Sequence, residues 1–376
     1  MTETVLDYES DAIRELMEVE EDARTDDWLQ KSLQQAIMLE LATLPPYLCG
    51  WWSVIEKTEE DKKISSMIRE IIFDEMSHLG HVCNLLTTIG GSPIIADKNV
   101  VAPYPCQLPG GVRPNLPDED GQDKNLTVYL SGLTRKSVEM YSRIEAPAKP
   151  LAKFSEGNEE KTYPSIGEFY DAILKAFQKP GVPFTGWRQL VYSMDGHGKG
   201  NSLFAIKNLA DAEKAIKIIQ EQGEGTHAMP ENPHDGYEGE LAHYYTFRQL
   251  YRGKKLIKVQ EQPPKWDFEG ADIKMPGAHP MGVVPKGGWA GDKKTAPDAK
   301  VQKILDDFNS TFSSMLRSLE KVWQQDSPKD AEKHMSDAEA EMYNLGGPAL
   351  QLMEKPLPND PAKRYGPEFL YIPKKP

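Results

Sequence analysis

The chain has three cysteines in 376 residues, Cys49, Cys83 and Cys106. An odd number with no CxxC pair builds neither a disulfide framework nor a thiolate zinc site, and a reducing cytoplasm is the expected setting. Uncharged apolar runs are also lacking. The longest, residues 41–52, is broken by Pro45 and Pro46, well short of the roughly 20 residues a membrane helix needs. The first residues are acidic and lack the basic-then-apolar order of a secretory signal. Positive charge is scarce: 44 Lys and Arg against 58 Asp and Glu leave a formal charge of −14. Such a chain repels phosphate backbones and anionic lipid, so neither nucleic acid nor membrane is an expected partner. Strand signal is thin, with 100–104 and 281–284 the only candidates. What the chain does have is 39% hydrophobic residues with seven Trp and fifteen Tyr, enough to exclude general disorder.

Apolar residues recur at three- and four-residue steps over 26–57 and again over 60–89, predicting two long helices. Asp26 or Asp27 can cap the first, and Gly90, Gly91 and Pro93 end the second. Residues 92–123 are dense in Pro and Gly and read as a surface crossover. Further helices are predicted over 126–145, 165–178, 208–224 and 238–252, then a Pro/Gly-rich stretch over 260–297 and a final helix pair over 298–325 and 329–353. The class is all-α with long irregular loops, which usually shape a site or an interface. The expected division is an N-terminal extension over 1–25, a bundle over 26–255, and a crossover with C-terminal helices packed on it over 256–376.

Within these helices a few charged residues stand where charge does not belong. Glu40 sits in Ala36-Ile-Met-Leu-Glu40-Leu-Ala42, and a lone buried carboxylate is costly unless a cation compensates it. Glu75 and His78 form an E-x-x-H; three residues span about 300° of helix, so both side chains leave one face. A single E-x-x-H arises often by chance, but Glu40 and Glu75 are equidistant from the polar stretch Lys57-Thr58-Glu59-Glu60. An antiparallel hairpin turning there brings them level. A second E-x-x-H, Glu240 and His243, follows a helix ending near Glu224, and those two Glu are equidistant from Asn232. Two helix pairs, each offering one Glu and one E-x-x-H, match the di-metal pattern of four-helix carboxylate proteins. Oxygen and imidazole ligands suit iron, with manganese as the alternative. Glu139, Glu145 and Glu221 are further carboxylate candidates, and His227 completes a third E-x-x-H spelling with Glu224. His81 reads as a neighbour of His78, while His197 and His279 fall in loops. Tyr47, Trp51, Trp52 and Tyr141 read as core and rim aromatics.

Several motifs together resemble the ferritin-like family named for iminophenylpyruvate dimer synthase, related to a region of a violacein-pathway enzyme. They are Leu39-Glu-Leu-Ala-Thr-Leu-Pro-Pro-Tyr47, Asp74-Glu-Met-Ser-His78, Ile144-Glu145-Ala-Pro147, Gln222-Gly-Glu-Gly225 and Glu240-Leu-Ala-His-Tyr244, with Phe308-Asn309 and the helix through Met342, Leu345 and Leu352 further along. The resemblance spans about residues 27–355. It implies a ferritin-like four-helix bundle with extra C-terminal helices, a non-haem metal site that is usually iron, and a place in specialised-metabolite biosynthesis. It carries Glu40, Glu75, His78, Glu145, Glu224, Glu240 and His243 as ligands, one more than the usual six.

The leading expectation is a di-iron enzyme that activates dioxygen to oxidise a small organic substrate, amino-acid-derived or aromatic by analogy. An external reductant and a homodimer are compatible partners. Against it stand a ferroxidase or storage protein, a dimanganese catalase-like enzyme, and a helical scaffold with fortuitous Glu and His. Ferritins are compact bundles without such large additions, which counts against storage.

Overall fold

A computed structural model describes residues 6–113, 125–147, 165–193, 201–225, 229–234 and 239–374. Among them the α-helices are α1 (Ala12–Met17), α2 (Asp26–Ser53), α3 (Glu59–Thr88), α4 (Arg135–Ile144), α5 (Ile166–Phe177), α6 (Leu209–Glu224), α7 (His243–Arg252), α8 (Ala299–Val322) and α9 (Pro328–Leu352). Two short antiparallel strand pairs accompany them: β1 (Tyr192–Ser193) with β2 (Ser202–Leu203), and β3 (Ile257–Gln260) with β4 (Lys265–Asp267). The fold is all-α.

The frame is the hairpin of α2 and α3. Thr25 rather than Asp26 or Asp27 caps α2, its Oγ1 accepting from Trp28 N at 3.3 Å. Thr58 starts α3 in a capping box, accepting from Asp61 N while Asp61 Oδ2 accepts from Thr58 N. The chain turns over 54–58, close to the polar stretch that predicts it. Both helices are buried over most of their length. Pro45 and Pro46 lie inside α2 without ending it. Pro46 has no N–H to give to Ala42 O, and the Tyr104 hydroxyl donates to that carbonyl at 2.7 Å instead.

Around this hairpin α4 packs on α7 and α5 on α6, while α6 also touches α3 and α7. The hairpin of α8 and α9 leans on α2. There Trp52 stacks on Phe369 at 6.2 Å with rings 5° from parallel. The segment after α9 is tied down by buried Glu368, which accepts from Trp289 N and from Asn309 Nδ2, each at 2.8 Å.

Three expectations need correction. Residues 126–134 are not helical, and α4 begins only at Arg135. Leu126, Val128 and Leu130 are buried while Thr127 is exposed and Tyr129 half-buried, an alternation of period two that suits extended chain. Val128 accordingly exchanges both backbone hydrogen bonds with Cys106. Residues 92–113 are a buried connection rather than a surface crossover, with Ile95 and Val100 fully buried and Gln34 Nε2 donating to Ile94 O at 2.9 Å. The strand candidates 100–104 and 281–284 do not form strands; Met281 makes one isolated bridge, to Arg364.

Candidate metal centre

Each side chain of the centre is delivered by a helix or a helix end. Glu40 comes from the middle of α2, Glu75 and His78 from one face of α3, and His243 from the first residue of α7. Glu145 is the C-cap of α4, where the helix has just unwound. All five are at least nine-tenths buried.

Their donor atoms converge in two groups of three, Glu40 with Glu75 and His78, and Glu75 with Glu145 and His243. Within each group the donor atoms lie within 4.8 Å of one another, and Glu75 belongs to both. His78 Nδ1 is 3.5 Å from Glu75 Oε1 and 3.7 Å from Glu40 Oε2. His243 Nδ1 is 2.9 Å from Glu75 Oε1 and 3.7 Å from Glu145 Oε2. The imidazoles face each other with centroids 5.7 Å apart and planes 27° from parallel.

Hydrogen bonds behind the donors hold them in place. Tyr170 donates its hydroxyl to Glu40 Oε1, and Tyr47 donates to Glu145 Oε1. Thr43 Oγ1 donates to Glu75 Oε2 at 2.9 Å. The outer nitrogen of each imidazole is engaged too, His78 Nε2 with Gln222 Oε1 at 2.7 Å and His243 Nε2 with Asp74 Oδ2 at 3.0 Å. Both acceptors hold a proton on Nε2 and turn Nδ1, the inward nitrogen, toward the carboxylates.

Three carboxylates and two imidazoles buried together need positive charge. Burial pushes Glu40 up to about 8, with the Glu75 charge adding to the rise. Burial and then Glu75 raise Glu145 as well. Burial works in the same direction on Glu75, but its contacts with His243 and His78 outweigh it and hold that carboxyl below the usual range. Burial opposes charge on His78, yet Glu75 prevails and lifts it to about 9. In His243 burial is likewise overcome, by Asp74, Glu145 and Glu75. Protons thus gather where a cation would compensate the same charge.

A metal ion fits this donor set on a second ground. Although His243 Nδ1 is close to Glu75, it has no aligned hydrogen bond, and is a buried polar nitrogen without one among the described residues. A cation there would displace the proton that Glu145 and Glu75 favour on the ring and take the Nδ1 lone pair, as in a metal-ligating imidazole. The three cysteines are buried and free, and none belongs to either group. Beside the carboxylates lies a cavity of about 30 Å³, also walled by Ile144, Gly223 and Glu224, room for a very small molecule.

Of the seven residues singled out from the sequence, Glu40, Glu75, His78, Glu145 and His243 come together. Glu224 lines the cavity but lies in neither convergent group. Glu240 is exposed and stands apart. It precedes α7 because the backbone of 240–242 pairs with 230–232: Asn232 N donates to Glu240 O at 2.8 Å and Ala242 N to Pro230 O at 2.9 Å. The E-x-x-H of Glu240 and His243 therefore does not lie on one helical face. Glu240 lines a separate cavity of about 610 Å³, which Asp74 and His243 also line. Glu240→Ala is expected to leave metal content within about 10% of wild type, measured by elemental analysis after dialysis against the metal, because exposed substitutions away from a site change little.

Glu221 lies 3.1 Å from His234 and away from the centre, and Glu139 is in neither group. His81 is buried against Phe204 with ring centroids 4.8 Å apart, and burial drives it down to about 3, a neutral imidazole. His279 is a loop residue half-buried beside α2; His197 and His227 lie outside the described residues. Asp74, Gln222, Thr43 and Tyr170 escaped the sequence reading. Asp74 had a signal, a second acid beside Glu75 within an apolar face. Tyr170 had none, since it meets Glu40 across 130 positions.

A buried pair of carboxylate–histidine groups sharing one Glu, set among packed helices, defines the class of helical proteins with a candidate di-metal centre. The family model described as Ferritin-like matches residues 33–252, more than half of the chain, and the chain belongs to that family. Among solved structures it resembles a ferritin-like protein from Caulobacter vibrioides, with a TM-score of 0.54 and 21% identity over 90% of this chain and 97% of the other. That likeness concerns the fold. No curated protein matches the chain. Among the described residues no helix is long and apolar enough to cross a membrane.

Proposed function

We propose that this chain is a non-haem di-metal oxidoreductase, with iron as its resident metal and manganese as the alternative, that uses dioxygen to oxidise a small organic substrate. The observation that carries the reading is the pair of three-donor groups joined through Glu75. Glu40, Glu75 and His78 would hold one ion, and Glu75, Glu145 and His243 the other. Such ions supply reducing electrons and open coordination positions for dioxygen.

The chain's own residues do the rest. Tyr170 and Tyr47 orient the two outer carboxylates, and Gln222 and Asp74 orient the two imidazoles. Burial of all five donors keeps bulk water away. The motif resemblance supports an amino-acid-derived or aromatic substrate in specialised-metabolite biosynthesis. A cytoplasmic setting, an external reductant and a homodimer belong to the same reading.

The test is anaerobic loading with ferrous iron followed by dioxygen. About two irons per chain, an oxygen-dependent absorbance change, and dioxygen uptake that rises with an added organic substrate are the expected results. Mineral growth beyond that stoichiometry would point to iron storage instead, and disproportionation of hydrogen peroxide by the manganese form to a catalase. Metal content below about 0.3 per chain would end the enzyme reading and leave a helical scaffold.

A further inference from the structure

The two halves of the centre are near copies of each other. Each has one imidazole Nδ1, a share of Glu75 and one carboxylate of its own, and each of those carboxylates accepts from a buried tyrosine. The symmetry breaks behind the imidazoles. His78 is backed by Gln222, a neutral amide, and His243 by Asp74, a carboxylate. Both backing groups are at least nine-tenths buried, so water screens neither well.

We propose that the two positions are unequal, and that the one built from Glu75, Glu145 and His243 binds a divalent cation first and more tightly. This rests on the di-metal reading above. A carboxylate accepting the Nε2 proton draws it away from the ring and makes Nδ1 a better electron-pair donor. It also places one more negative charge close to that position than an amide does. Asp74 is the residue before Glu75, about 100° further around α3, so one helix supplies a donor on one side and the partner of a donor from α7 on the other. Glu224 lines the cavity beside Glu40 and His78 but lies in neither convergent group. Asp74 acts here as a positioning residue, through His243.

Manganese(II) is the probe, because its six-line resonance reports free ion and its broadening reports a coupled pair, with no need of turnover. In the wild-type protein the first and second equivalents are expected to differ in affinity by about 10-fold or more, the scale on which such backing partners act. His78→Ala should keep the tight step within about threefold, while His243→Ala should weaken it at least about 10-fold. Asp74→Asn, which keeps shape and removes charge, should bring the two steps together. So should Gln222→Glu, by strengthening the weaker one; it serves if Asp74→Asn fails to fold. A purely structural role for Asp74 would lower thermal stability and leave the separation of the steps unchanged. Two equal steps in the wild type, or loss of the tight step in His78→Ala, would overturn the order of filling and leave the di-metal reading intact. A wild type that binds neither manganese nor anaerobically supplied ferrous iron would overturn both.

Discussion

Glu75→Gln should weaken both metal positions together, by more than about 100-fold. Loss of groups that merely orient a ligand already costs about 10–100-fold, and Glu75 is the one residue common to both convergent groups. The amide keeps the shape of the side chain and can still accept from Thr43, whose Oγ1 reaches Glu75 Oε2 at 2.9 Å. What it loses is the charge between two imidazoles, with Nδ1 atoms 3.5 and 2.9 Å from Glu75 Oε1. A neutral amide oxygen neither compensates a dication in a buried site nor holds two of them at once. Elemental analysis after loading and dialysis reads the effect, with circular dichroism as the control for folding. Metal retained at the wild-type level in a folded Glu75→Gln protein would remove the basis for a shared centre. Loss of one ion only would show that the groups are independent.

The largest effect on stability is expected at a residue with no part in the chemistry. Asn84, fully buried six residues beyond His78 on α3, uses its whole side chain. Its Nδ2 donates to Leu190 O at 2.8 Å and Phe204 O at 3.0 Å, and its Oδ1 accepts from Leu190 N and Trp323 Nε1, both at 2.9 Å. One amide thus joins α3, the segments flanking β1 and β2, and the end of α8. Asn84→Ala strands four polar groups, three of them buried, at a typical cost of about 1–3 kcal/mol for each buried one. A loss of at least about 3 kcal/mol is expected, since some of the four will find water or shift. Chemical denaturation followed by tryptophan fluorescence measures it, and a change under about 1 kcal/mol would mean that the junction is wet or redundant.

Residues 26–88 were the most legible part of the chain. Their two long apolar periodicities and the polar break between them foretell a hairpin, and a hairpin forces Glu40 level with Glu75 and His78. That step needs only helix geometry and a short turn. The second half of the centre was less legible. The spacing of Glu240 and His243 copies that of Glu75 and His78, yet backbone pairing of 240–242 with 230–232 starts α7 at His243 and leaves Glu240 outside. Spacing in sequence becomes a shared face only if the helix covers both residues, and here a long-range pairing decides where the helix begins. Leu126, Leu130 and Leu133 are ambiguous in a similar way, since their four- and three-residue steps mimic a helix while Leu126, Val128 and Leu130, two apart, fit extended chain.

What the sequence by itself determined is the class of protein: all-α, acidic, free of disulfides, with carboxylates and imidazoles set into apolar helices where only a compensating charge makes sense. Those are properties of local pattern and composition, and local pattern survives in a bare sequence. The tertiary structure alone decided that Glu75 belongs to both donor groups, that Glu145 at the end of α4 meets His243 while Glu240 joins neither group, and that Asp74 and Gln222 stand behind the two imidazoles. Each of these joins residues far apart in the chain, as His78 meets Gln222 across 144 positions and His243 meets Asp74 across 169. Such contacts depend on how helices pack and where they end, which the packing of the whole core sets and no single segment encodes.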